Sequence, residues 1–129
     1  MAKELPTLGE LEIGVLQLVW REQPCTERHI WDLVCQQRDV ARTTVLKTMQ
    51  RLEAKGVLVR VAAKGPVQYR AAIEPDRLLP TLVGRFVEQT LGGSYGPLVT
   101  FLADNGKLSA KDLTALRAIA QKLRTEATD

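Results

Sequence analysis

The chain has 129 residues, 45% of them hydrophobic and 26% charged, with a formal net charge of +3. That balance excludes a disordered or membrane-embedded chain, and the length allows one domain, or a small one with an appendage. Two cysteines (Cys25 and Cys35) and a single histidine (His29) supply no disulfide framework, no metal cluster and no histidine-based catalytic pair.

Thr7 and Glu10 have the spacing of a capping box, and Leu8, Leu11, Val15, Leu18 and Val19 then recur at helical period. They predict a first helix running to about Arg21. Met1-Ala2-Lys3-Glu4 leads into it without an apolar signal segment. The longest uncharged apolar run, residues 13–20, is too short to span a bilayer. No membrane insertion is expected, and the cytoplasm is the expected compartment. Pro24 breaks the chain, and Thr26 can cap a second helix with Ile30, Leu33 and Val34 on its apolar side. A third helix is predicted over 42–55, ended by Gly56.

The period then changes. Residues 57–61 and 67–70 are β-prone, and the loop Ala62-Ala63-Lys64-Gly65-Pro66 between them predicts a hairpin. Three helices and a hairpin within one short stretch is the winged-helix order. Ile73-Glu74-Pro75 marks a boundary, giving an expected DNA-binding domain over 1–73 and a helical domain over 74–129. In the second, Pro75 suits a first helical turn, while Pro80 either kinks the helix or marks its true start. Gly92-Gly93 ends that segment, 97–103 reads as a short helix, and Asn105-Gly106 is a turn. Ser109 and Asp112 open a last helix. The expected fold class is mainly α with a small β-hairpin wing: a winged helix-turn-helix followed by a helical dimerisation region.

Charge is unevenly placed. Residues 1–39 carry −3 and residues 74–129 are neutral, whereas residues 40–73 hold seven basic side chains against Glu53 alone, a net of +6. Such concentration suits a surface that meets a polyanion. On a helical projection of the third helix, Val45, Met49 and Leu52 share one face. Thr43, Lys47, Gln50 and Ala54 lie opposite, with Thr44 and Arg51 on a flank, so the outward face is free of acids. Hydroxyls, an amide and cations suit phosphates and base edges in a major groove. Thr43, Lys47 and Gln50 are the candidates for base contact. Thr44, Arg51 and Arg42 are candidates for phosphate, as are Thr26 at the second helix start and Lys64 at the hairpin tip.

In the C-terminal half, Leu82, Phe86, Leu98, Phe101 and Leu102, and Leu113, Leu116, Ile119 and Leu123 on the last helix, present more apolar surface than a short tail can hide alone. They are the candidate dimerisation residues. An alternative is a winged helix used as a protein-interaction module within a larger assembly, which predicts a dispensable basic face. Catalysis is not expected: Ser94 and Tyr95 lie near glycines, but no base, paired carboxylate or phosphate loop accompanies them. No cofactor and no metal is expected either.

Leu8-Gly9-Glu10-Leu11-Glu12 with Leu18-Val19-Trp20, then Thr43-Thr44-Val45 and Arg51-Leu52-Glu53-Ala54-Lys55-Gly56, and Tyr69 in the second strand, resemble the penicillinase-repressor (BlaI/MecI/CopY-like) family. The resemblance extends through Gly93-Ser94, Leu98-Val99 and the closing helix. It implies a homodimeric transcriptional repressor of an inverted-repeat double-stranded DNA operator, with C-terminal helices forming the dimer. Thr44 and Arg51 match DNA-binding positions of the family, and Thr43 and Lys47 fill further contacting positions. Lys47 replaces the usual threonine, so the operator sequence does not carry over. The family's β-lactam-responsive members are cut by a regulatory protease at an Asn-Phe bond, where this chain has Thr100-Phe101. Its copper-responsive members carry a cysteine-rich C-terminal site, and this chain has no cysteine after Cys35.

Overall fold

The computed structural model describes residues 6–61 and 64–127. Met1-Ala2-Lys3-Glu4 and the Ala62-Ala63 part of the hairpin loop therefore lie outside the described residues. The elements are, in order, α1 (Glu10–Glu22), β1 (Cys25–Thr26), α2 (Glu27–Val34), α3 (Arg42–Ala54), β2 (Leu58–Val61), β3 (Gln68–Ala71), α4 (Pro75–Gln89), α5 (Gly96–Asn105) and α6 (Ala110–Ala127). They form two compact units, one ending at Gly84 and one beginning at Arg85.

Helix α1 starts later than the Thr7–Glu10 spacing suggests. Gly9 is its N-cap residue, and the Glu12 carboxylate accepts the Gly9 N–H at 3.1 Å. The cause is tertiary. Leu8 is buried in the core, and the Thr7 carbonyl accepts from Lys55 Nζ at 2.8 Å, which leaves Gly9 to turn into the helix. At α2 the expected cap forms: Thr26 Oγ1 accepts from the His29 N–H at 3.1 Å. Thr26 and Cys25 also form β1, a strand too short for any sequence periodicity, paired antiparallel to β3 with Cys25 opposite Tyr69. The sheet thus has three strands in the order β1-β3-β2 rather than a bare hairpin.

The end of α3 fixes where the wing begins. Gly56 takes φ +80, open to a residue without Cβ. The Val57 N–H donates to Leu52 O and the Gly56 N–H to Glu53 O, both at 3.0 Å, which is the double bonding of a Schellman motif. Val57, assigned to a strand by its β propensity, is spent on this turn, and β2 starts one residue later.

One core serves the first unit. Val15, Leu16 and Val19 of α1, Ile30 and Val34 of α2, and Val45, Met49 and Leu52 of α3 meet Leu58, Tyr69 and Ala71 of the sheet, with Leu78 of α4. Leu82 packs against the same cluster, so this candidate dimerisation residue is engaged by the first unit's core. Two polar ties close the α1 side: Trp20 Nε1 donates to Ile73 O, and the Ala71 N–H donates to Gln23 Oε1, each at 2.8 Å.

Helix α4 begins at Pro75 and runs unbroken through Pro80. Proline removes the bond to the Asp76 carbonyl, and Asp76 is exposed, where water can replace it. In the second unit α5 is longer than its apolar run, extending from Gly96 to Asn105. Gly106 caps it, donating to Leu102 O at 3.1 Å, and a Cβ on Gly106 would overlap that same carbonyl oxygen. Ser109 and Asp112 form the expected capping box at α6, with Ser109 Oγ accepting from the Asp112 N–H at 3.1 Å.

Candidate nucleic-acid interface

Helix α3 presents two unlike faces. Val45, Met49 and Leu52 are fully buried, and Thr48, which the helical projection puts at the edge, joins them at 1% exposure. Its hydroxyl is satisfied within the helix, donating to Thr44 O at 2.7 Å. Arg42, Thr43, Thr44, Lys47, Gln50, Arg51 and Ala54 are exposed. This anchoring makes the outward face rigid: rotating α3 would pull a close-packed row out of the core.

The acid on α3 is neutralised from the wing. Glu53 accepts from Arg60 Nε of β2 at 2.9 Å, and the Arg60 guanidinium also stands 5.9 Å from the centre of the Tyr69 ring on β3. The register sets Arg60 directly opposite Tyr69, so one side chain links α3, β2 and β3. By contrast, Lys47, Arg51 and Lys64 form no ion pair among the described residues. Lys64 is exposed beside Gly65, which takes φ +94 in the wing loop.

Between α3, the start of α2 and the wing lies an open concavity of about 290 Å³. Thr26, Arg42 and Gln50, which the sequence singles out, line it together with Glu27, Arg28 and Arg60, which the sequence reading passes over. The signal available for Arg28 was its place in the first turn of α2. Arg60 needed the strand register. Arg42 is not free in this concavity, since its Nε donates to both Glu27 oxygens at 3.2 and 3.3 Å. Thr26 Oγ1 is committed as an acceptor by the helix cap, which leaves the hydroxyl hydrogen for an outside acceptor.

The second unit is apolar at its surface. Phe86, Phe101, Leu113, Leu116, Ile119 and Leu123 are all exposed, and Leu98 and Leu102 are half-buried. Tyr95 and Val99 of this unit are exposed as well, as is Val83 near the end of the first unit. An open groove of about 470 Å³ runs between α5 and α6, bordered by Val99, Leu102, Leu108, Leu113 and Leu116.

Cys25 is buried, and burial first, then the nearby Glu22 charge, push its thiol up to about 11, away from thiolate chemistry. Cys35 is exposed, and the two thiols are free. No group of three or more His, Cys, Asp or Glu among the described residues is placed to hold a metal ion. No helix among them is long and apolar enough to cross a membrane.

The penicillinase repressor family model matches residues 8–122. A transcriptional regulator BlaI of Mycobacterium tuberculosis is 30% identical over 126 residues, covering 95% of this chain and 88% of the relative. A penicillinase repressor of Staphylococcus aureus is 23% identical over 92% of this chain and 94% of its own length. A methicillin resistance regulatory protein MecI of Mammaliicoccus sciuri is 23% identical over 89% and 94% respectively. The matched relatives are regulators, not enzymes.

Proposed function

This chain belongs to the penicillinase repressor family of transcriptional regulators, and we propose that it acts as a homodimeric repressor reading an inverted-repeat operator with α3 and the wing. The observation that carries the proposal is the acid-free outward face of α3, backed by the buried Val45, Met49 and Leu52. Thr43, Lys47 and Gln50 occupy the centre of that face and take the base edges. Thr44 and Arg51 on the flank take phosphates. Thr26 and Lys64 approach the backbone from the start of α2 and from the wing.

The domain over 1–73 would bind DNA, and that over 74–129 would join two copies. The exposed apolar rows of α5 and α6 support a dimerising role for the C-terminal region, since a lone chain gains nothing by keeping them in water. Two reading heads on a two-fold axis match a two-fold operator, with half-sites about one turn apart. An inducing signal that severs or displaces the C-terminal region would remove the avidity of the pair. A regulatory protease is one such agent, and the cytoplasm is the compartment this reading implies.

The test is a gel shift with a duplex recovered from a random pool by the wild-type protein. Lys47→Ala and Arg51→Ala should each weaken binding by about tenfold or more, as loss of a base or phosphate contact demands. If both bind that duplex as the wild type does, α3 is not the reading head.

A further inference from the structure

The Arg42–Glu27 pair sits where a helix-turn-helix protein meets the phosphate backbone. The first helix of such a motif crosses the backbone while the recognition helix enters the groove. Glu27 is the first residue of α2 and Arg42 the first of α3, and both line the concavity shared with Arg28, Gln50 and Arg60. An acid at the start of a helix is favoured by the helix dipole, and Thr26 caps this one, so Glu27 suits its local structure. For DNA it has the wrong sign. Its side chain is only 13% exposed, while Arg42 is 51% exposed and bonded to both of its oxygens. Arg28, the next residue along, has no ion-pair partner among the described residues.

We propose that Glu27 is an affinity-limiting residue for the DNA backbone, cancelling Arg42 and leaving Arg28 as the cation this wall offers to phosphate. The inference rests on the repressor reading above. A neutral pair releases no counterions on binding, so Arg42 adds nothing to the salt-dependent affinity that every sequence shares. Arg42 acts as a positioning residue: it masks Glu27 and ties the starts of α2 and α3 together. A repressor that must leave its operator gains from such restraint, because each further phosphate contact would hold it more firmly on all DNA alike.

The test measures binding to a short random-sequence duplex as a function of salt, with thermal melting to confirm folding. Glu27→Gln keeps the size of the side chain and frees Arg42. It should bind about five- to tenfold more tightly at about 0.1 M salt and steepen the slope of log affinity against log salt by about 0.9. Arg42→Ala exposes the acid and should bind more weakly than wild type. The double variant R42A/E27Q removes a neutral pair and should return to wild-type affinity and slope. Arg28→Ala should lower the slope by about 0.9. The proposal is overturned if Glu27→Gln leaves affinity and slope unchanged or lowers them. It is equally overturned if the double variant binds as poorly as Arg42→Ala, which would make Arg42 itself the phosphate contact. A wild-type protein without salt-dependent duplex affinity would instead sink the repressor reading, and this inference with it.

Discussion

Lys55, which caps the end of α3, donates to the Glu12 carboxylate at 2.6 Å and so joins the end of α3 to the first turn of α1. The same ammonium holds Thr7 O, and Glu12 in turn accepts the Gly9 N–H, so one cation organises the whole entry into α1. Burial works to raise the Glu12 carboxyl, but the bonds from Lys55 and Gly9, aided by the charge of Lys55 and Arg51, outweigh it and leave it below its usual 4.5. A carboxyl depressed in the folded state contributes stability that is present above about pH 4.5 and lost as pH falls through the folded value. Lys55→Met should therefore lower stability by about 1 kcal/mol at neutral pH. It should also flatten the acid limb of a stability–pH curve, measured by urea unfolding below pH 5. An unchanged acid limb would mean that Glu12 draws its low value from elsewhere.

What the sequence made legible was periodic or local. The two faces of α3, the glycine stop at Gly56, the Thr26 cap and the Ser109–Asp112 box are each set by residues within or adjoining a single element. What it hid depended on contacts between elements. Strand β1 exists only because β3 passes beside it, and the start of α1 is set by a lysine far along the chain. The ion pairs Arg42–Glu27 and Arg60–Glu53 are likewise made between long side chains from different elements, which no spacing rule anticipates. Leu82 shows the same limit from the apolar side. It is partly buried against the first unit's core, a contact that its helical spacing does not announce.

Met49 is fully buried in the middle of α3, on the face opposite Lys47 and Gln50. Met49→Ala should cost about 2–5 kcal/mol, the range for removing a large core side chain and leaving part of the cavity unfilled. Helix α3 would then loosen without any change in its outward chemistry. At a temperature where the variant is still folded, duplex affinity should stay within about threefold of wild type, which thermal melting and gel shift measured together will show. An affinity loss in fully folded Met49→Ala larger than that of Lys47→Ala would mean that the outward side chains are not the contact surface.

Gln50 and Lys64 should fail differently. Gln50 stands at the centre of the exposed face, and its amide can pair with one base. Gln50→Ala should relax preference at a single operator position by about 1–3 kcal/mol, with little effect on other sequences. Lys64, exposed in the wing loop, can offer a DNA backbone only its charge. Lys64→Ala should weaken binding to all duplexes alike and reduce the salt slope by about 0.9. Selection of each variant against a random duplex pool, followed by salt titration, separates the two patterns. Identical selected sequences for wild type and Gln50→Ala would remove Gln50 from base readout.

Leu116, Ile119 and Leu123 are spaced to lie along one side of α6, and all three are exposed although strongly apolar. A glutamate at Ile119 would meet only water in a single chain, so its cost to a monomer should be within about 0.5 kcal/mol, as for an ordinary surface change. In a dimer the same glutamate would be buried without a partner, at a cost of several kcal/mol per chain. Ile119→Glu should therefore sediment as a monomer at micromolar concentration where the wild type sediments as a dimer, with an unchanged helical circular dichroism signal. Operator binding should fall by a factor of about a hundred or more, since a single head loses the effective concentration supplied by its partner. A wild type that is already monomeric at that concentration would remove the reason for the exposed leucines to be read as an interface, and the two-headed repressor would have to be abandoned.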